Sequence, residues 1–161
     1  AGVPYNYEMI LRLGIDRLNI PSITKMTQAG GNLSNAKIYK INATLKQKKI
    51  RFYTMYGQTE ATARISYLSP SDIDKKPGSI GKVIPGGKIW IQDKQGQTIE
   101  QIDSIGELVY SGENVSMGYA ISISDLKLGD VNKGVLKTGD LARFDSDGYF
   151  FIEGRLYCQL M

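Results

Sequence analysis

The sequence predicts an α/β first part followed by a mostly β second part. Helical and strand patterns alternate before residue 70. After residue 77 short apolar runs recur between turn-forming residues, and Gly78, Gly81, Gly86 and Gly87 punctuate the change. A strand–helix–strand rhythm followed by a run of strands is the pattern of an α/β unit joined to a small barrel or sandwich.

Pro4 can open a helix, because its fixed φ suits the first turn and its missing N–H is not needed there. Tyr7, Ile10, Leu11 and Leu13 supply an apolar stripe, and Gly14 offers the stop. Pro21-Ser22 marks the next connection, after which Thr24 to Gln28 reads as a short strand running into Ala29-Gly30-Gly31. Ser34 or Asn35 can cap a second helix, whose Ile38, Ile41 and Leu45 recur at i, i+3 and i+7. Ile50 to Tyr56 then reads as a buried, aromatic-rich strand. In the β part, Lys88 to Gln92 leads into Asp93-Lys94-Gln95-Gly96, a hairpin-type turn, and Glu107 to Tyr110 is a further strand. Phe144 and Tyr149-Phe150-Phe151-Ile152 flank Asp145-Ser146-Asp147-Gly148, a strong hairpin signal.

The 161 residues suffice for one core-burying domain, and 42% apolar content with interspersed charge reads as globular. No run approaches the roughly 20 apolar residues of a bilayer span. Cys158 is the single cysteine and cannot pair within the chain, which fits a reducing cytoplasm. There is no histidine, so Ser-His-Asp and Cys-His catalysis and histidine-ligated zinc are excluded. Chemistry here must run on carboxylates, Arg and Lys, hydroxyls, backbone amides or a bound metal. The net charge of +4 is mild, and its densest run, Lys46 to Arg51, reads as a solvated helix end. No broad basic face with interleaved aromatics is visible, so nucleic acid is not an expected partner.

Four glycine-bearing segments could carry chemistry. In Tyr56-Gly57-Gln58-Thr59-Glu60 a glycine follows an apolar strand, where backbone and ligand can approach closely. An amide, a hydroxyl and a carboxylate follow at the strand's C-terminal end, where open α/β sheets bind ligands. A carboxylate beside a hydroxyl suits Mg²⁺ held together with a phosphate. The same residues also fit a polar loop with Thr59 as N-cap of the next helix. Ala29-Gly30-Gly31-Asn32 is either a plain turn or a bare-backbone wall for a flat ring. Thr138-Gly139-Asp140 is either an ordinary turn acid or an acceptor for ribose hydroxyls, and Glu153-Gly154-Arg155 ends the last hairpin.

Their order and spacing resemble the nucleotide-binding core of the adenylate-forming (AMP-binding) superfamily, the acyl-CoA synthetases, luciferases and peptide-synthetase adenylation domains. Tyr56-Gly57-Gln58-Thr59-Glu60 matches its aromatic-Gly-x-Thr-Glu motif. Thr138-Gly139-Asp140-Leu141, Asp147-Gly148-Tyr149 and Gly154-Arg155 match its later motifs, with Pro77-Gly78-Ser79-Ile80-Gly81, Gly106-Glu107-Leu108 and Gly112 to Gly118-Tyr119 between. The resemblance implies that Tyr56 stacks near adenine and that Gly30 and Gly31 lend backbone to the adenine pocket. It implies that Gly57, Gln58 and Ile152 also line the nucleotide site. By the same resemblance Asp140 binds the ribose hydroxyls and Arg155 approaches the ribose or phosphate. Thr59 would contact the phosphate and Glu60 would help to hold Mg²⁺, the two being the implied catalytic residues.

The implied reaction joins a carboxylic acid to the α-phosphate of ATP, giving an acyl-adenylate and pyrophosphate, before transfer to coenzyme A. Gln58 tilts the resemblance toward acyl-CoA synthetases; the alternatives are an adenylation unit loading a carrier protein or polymer, and a non-catalytic nucleotide-binding module. The expected organisation is 1–75 as the C-terminal part of an α/β AMP-binding subdomain and 76–155 as a β-barrel-like subdomain. Residues 156–161 would be a truncated hinge and tail, with Cys158 at the hinge position. The family's upstream phosphate loop and C-terminal lysine-bearing domain have no counterpart in these residues, so the chain is expected to be an inactive piece of a longer enzyme. Met26, Ala29, Tyr53 and Ala61 are candidates for the acyl wall.

Overall fold

The computed structural model describes residues 1–156. Within them an α/β part passes into an antiparallel β part along one mixed sheet. Helix α1 (Pro4–Leu13) begins with Pro4 in its first turn, and the Asn6 side chain accepts the Val3 amide at 2.9 Å. Tyr7 is buried and Ile10 and Leu11 pack behind it. Leu13, expected in the same stripe, is exposed, because it lies about 240° around the helix from Tyr7 at 3.6 residues per turn. Gly14 ends the helix at φ 82°.

Strand β1 (Lys25–Gln28) pairs in parallel with β2 (Arg51–Tyr56), and α2 (Asn35–Gln47) makes the crossover. Ser34 stands at the N-cap position of α2 but its side chain makes no capping bond. Ile41 and Leu45 of α2 join Tyr7, Phe52, Leu68 and Ile73 in the main core. Each such side chain taken from water contributes roughly 1.5–3 kcal/mol. At the end of α2 the Lys48 ammonium donates to the Leu18 carbonyl at 3.2 Å and Lys46 pairs with Asp74, so the basic run is a solvated helix end with local partners.

The remaining strands are antiparallel to their neighbours: β3 (Ser66–Leu68), β4 (Ser79–Val83), β5 (Lys88–Gln92), β6 (Gly106–Ser111), β7 (Val135–Phe144) and β8 (Phe150–Arg155). The sheet order is β1-β2-β3-β4-β8-β7-β6-β5, so β4 joins the two parts. Strands β3 and β4 were not legible as strands, being short and interrupted by serine and glycine. The Asp93–Gly96 turn forms as expected: Asp93 accepts the Gln95 and Gln97 amides and Gly96 adopts φ 83°. The Asp145–Gly148 turn is fastened by Lys76, whose ammonium reaches Asp145 and Asp147.

No helix among the described residues is long and apolar enough to cross a membrane. Apart from Leu156, the expected hinge and tail, Cys158 included, lie outside the described residues.

Candidate nucleotide-binding site

The parallel pair β1–β2 ends on the same edge as α2 begins. Beyond the β1 end, Gly30 and Gly31 turn the chain at φ 72° and 141°, angles that a side chain would resist. Gln28, only 3% exposed, braces that turn by donating its amide to the Gly31 carbonyl at 2.8 Å. The motif singled out the glycines but not this amide, whose signal was a polar residue closing an otherwise half-apolar strand.

Beyond the β2 end, residues 57–65 connect to β3. Gly57 is needed for a reason other than ligand approach. A Cβ there would stand 2.4 Å from the Ala63 carbonyl carbon and 2.6 Å from the Arg64 nitrogen, because the loop folds back over it. Thr62 and Ala63 make that reversal at φ 50° and 58°, left-handed conformations costing roughly 1–3 kcal/mol each for residues with side chains. Gly57→Ala is therefore expected to lose about 2–4 kcal/mol in urea denaturation. A loss under about 0.5 kcal/mol would show that the loop has another way round. Thr59 to Ala61 form a single 3₁₀ turn with Gln58 at its N-cap and no side-chain cap, so the helix-capping role open to Thr59 is not taken up.

Thr138-Gly139-Asp140 is not a turn at a strand end. It lies inside β7, where four residue steps (Lys137 to Leu141) oppose two of β6 (Glu107 to Val109). Gly139 absorbs this bulge at φ 70°. The buried Thr138 hydroxyl donates to the Leu108 carbonyl at 2.8 Å and accepts the Asp140 amide at 3.1 Å. That bracing fixes the direction of the Asp140 side chain.

Asp140 is the centre of the site. It is 7% exposed, and its Oδ2 accepts the Tyr56 hydroxyl at 2.5 Å and the Gln58 amide at 2.9 Å. Its Oδ1 faces Arg155 Nε at 3.0 Å, while Gln58 Nε2 also donates to the Thr138 carbonyl at 2.9 Å. A buried carboxylate needs such partners, and this one has three. Burial and then the Asp140 bond push the Tyr56 phenol well above its ordinary range, so it stays a donor.

Gly30, Gly31, Tyr56, Gly57, Gln58, Asp140, Ile152 and Arg155 all line one cavity of about 830 Å³, together with Gly78, Ser79 and Ile80 of the β4 entrance. The volume is that of a small-molecule site. A bare glycine backbone, an aromatic ring, a carboxylate acceptor and a guanidinium donor are a set of groups that fits a ribonucleotide.

Thr59 and Glu60 do not line this cavity; they stand in the adjoining loop. The Tyr119 hydroxyl donates to the Glu60 carboxylate. That bond first, and a backbone hydrogen bond second, hold the carboxyl below the usual range. Among the described residues no three His, Cys, Asp or Glu side chains gather as a metal site. Mg²⁺ asks less, since one or two protein carboxylates with substrate phosphates and water complete its shell, and Glu60 fits that requirement. The candidate acyl-wall residues Met26, Ala29, Tyr53 and Ala61 do not line the cavity; Ala61 is fully buried in the core beside Ile65 and Tyr110.

A family model described as AMP-binding enzyme matches residues 1–120. The chain is 28% identical over 144 residues to a luciferin 4-monooxygenase of Photuris pensylvanica, covering 88% of this chain and 25% of that protein. It is 30% identical over 154 residues to 4-hydroxybutyrate–CoA ligase 1 of Metallosphaera sedula, covering 94% of this chain and 26% of the ligase. Among solved structures, the O-succinylbenzoate coenzyme A synthetase of Bacillus subtilis in complex with ATP and magnesium ion superposes with a TM-score of 0.77 at 26% identity. That match covers 99% of this chain and 32% of the synthetase. The chain thus spans about a quarter of the length of these two curated relatives.

Proposed function

Because the chain belongs to the AMP-binding enzyme family, we propose that it is the nucleotide-holding part of an AMP-forming acyl-CoA synthetase-like ligase. The observation that carries this reading is the convergence on one cavity of eight residues that the motifs had singled out separately, from Gly30 to Arg155. The ATP and magnesium ion held by the Bacillus subtilis synthetase support it.

On this reading adenine lies between the Gly30–Gly31 backbone and the Tyr56 ring. Asp140 accepts the ribose hydroxyls, and Gln58 and Tyr56 hold its carboxylate in place as they do in the free chain. Arg155 neutralises the ribose–phosphate edge. Thr59 donates to a phosphate oxygen. Glu60, kept ionised by Tyr119, would hold Mg²⁺, and the ion would supply charge neutralisation for the departing pyrophosphate. The carboxylate oxygen of the acid attacks the α-phosphorus, the bond to the bridging oxygen of pyrophosphate breaks, and an acyl-adenylate results. A thiolate, that of coenzyme A, then attacks the acyl carbon and AMP leaves. Positioning and charge neutralisation supply the rate, which is consistent with a chain that has no histidine. We assign 1–75 to the α/β AMP-binding subdomain and 76–155 to the β-barrel-like one, and place the enzyme in the cytoplasm.

The test is calorimetric titration of the chain with AMP in the presence of Mg²⁺. Binding is expected in the range of about 0.1–1 mM, weak because one chain supplies only part of the pocket. No ATP–pyrophosphate exchange is expected from the chain alone. Absence of AMP binding would sink the nucleotide reading, and exchange by the chain would sink its assignment as a part. Acceptor choice is read with coenzyme A against a carrier protein in the full-length enzyme.

A further inference from the structure

Asn114 sits half-buried about fifty residues from the loop it touches, and its amide is fully committed. Nδ2 donates to the Ala61 carbonyl at 2.7 Å and to the Arg64 carbonyl at 2.9 Å, while Oδ1 accepts the Tyr110 hydroxyl at 2.5 Å. Two carbonyls on one side and a hydroxyl on the other leave only one orientation for the amide. The two carbonyls bracket Thr62 and Ala63, the residues held left-handed against their preference. Such conformations persist only where the surroundings over-determine them, and the fork of Asn114 does so here.

The mount for Asn114 is itself built. Tyr110 is 1% exposed, and its ring runs through a slot that two glycines keep open. A Cβ at Gly87 would stand 2.6 Å from the ring, and one at Gly112 would stand 2.3 Å from the hydroxyl. The Ser116 amide adds a second tie, donating to the Glu60 carbonyl at 2.7 Å.

Resting on the nucleotide reading above, we infer that Asn114 is a positioning residue: it touches no nucleotide but fixes the Gln58–Arg64 loop, and so sets where Thr59 and Glu60 meet the phosphates and Mg²⁺. Asn114 does not line the cavity proposed for adenosine, and Gln58, the loop residue that does, has its side chain held separately by the Thr138 carbonyl and the Asp140 carboxylate.

The experiment compares Asn114→Ala, Asn114→Asp and Tyr110→Phe with the parent chain in two measurements. Hydrogen exchange reads the amides of Ala61, Thr62, Ala63 and Arg64, which close the loop onto Gln58, Thr59 and Ala61. Asn114→Ala is expected to speed their exchange by about tenfold or more, with the β6–β7 amides unchanged. Asn114→Asp is equal in size but puts an oxygen opposite two carbonyls, so its effect should exceed that of Ala; Tyr110→Phe should be milder than both.

Calorimetry then separates affinities. Asn114→Ala should weaken Mg²⁺–ATP binding by about tenfold while adenosine binding stays within about twofold. An Asp variant as mild as or milder than Ala, unchanged loop exchange, or equal losses for adenosine and Mg²⁺–ATP would each overturn the assignment. If the parent binds neither ligand, the nucleotide reading fails on its own, and the exchange series still decides whether Asn114 holds the loop.

Discussion

Asp140→Ala is expected to lower the affinity of the chain for AMP by about 100-fold, equivalent to about 2.7 kcal/mol. Two effects combine. The carboxylate that would accept the ribose hydroxyls is gone, and the half-buried Tyr56 hydroxyl loses its acceptor, while the Gln58 amide keeps only the Thr138 carbonyl and the exposed Arg155 guanidinium turns to water. Leaving the Tyr56 donor unsatisfied costs about 1–3 kcal/mol, so the melting temperature should fall as well. Asp140→Asn does not rescue the site, because donors face both oxygens and the new NH₂ must meet one of them. Calorimetry gives the affinity and thermal melting gives the fold control. An affinity within about threefold of the parent would remove Asp140 from the nucleotide site.

Gly81→Ala is expected to be the most destabilising single methyl in the chain, at about 4 kcal/mol or more. Gly81 sits in β4 at φ 82°, where a bulge lets Ser79 pair with Phe151 and Gly81 with Phe150. The Ser79 hydroxyl braces the bulge by donating to the Phe150 carbonyl and accepting the Gly81 amide. A Cβ at Gly81 would stand 1.9 Å from the Tyr67 carbonyl oxygen and 2.5 Å from the Leu68 nitrogen, both backbone atoms of β3. No rotamer relieves that; β3 or β4 must move. Small domains hold only about 5–15 kcal/mol in total, so about a quarter or more of the stability goes. Since β4 is the strand shared by the two parts of the sheet, nucleotide binding should fall with it. Circular dichroism melting reads the outcome, and a variant melting within about 3 °C of the parent would refute the clash.

Much of the α/β part was legible. Apolar periodicity gave α1 and α2, and flanking glycine and proline signals with aromatic content gave β1 and β2, each to within a residue or two. The β part was legible at its turns, where Asp93–Gly96 and Asp145–Gly148 carry their own local chemistry. Of strand β7 only the Phe144 end was legible, although Leu136, Thr138, Asp140 and Ala142 alternate inward along it. Gly139 disguised the period, and whether a glycine bends a turn or absorbs a bulge is decided by the strand opposite.

The sequence by itself determined which side chains were available for chemistry, glycine turns with Tyr56, Thr59, Glu60, Asp140 and Arg155 and no histidine, and their order and spacing pointed to a nucleotide. Contiguous motifs are readable because their spacing is covalent. Only the tertiary structure decided that Tyr56, Gln58 and Arg155 converge on Asp140, that Gly57 and Gly81 exist to let backbone pass, and that Asn114 holds the Thr59–Glu60 loop. Hydrogen bonds and steric contacts act over about 3 Å, and strand pairing between segments fifty to eighty residues apart sets that distance.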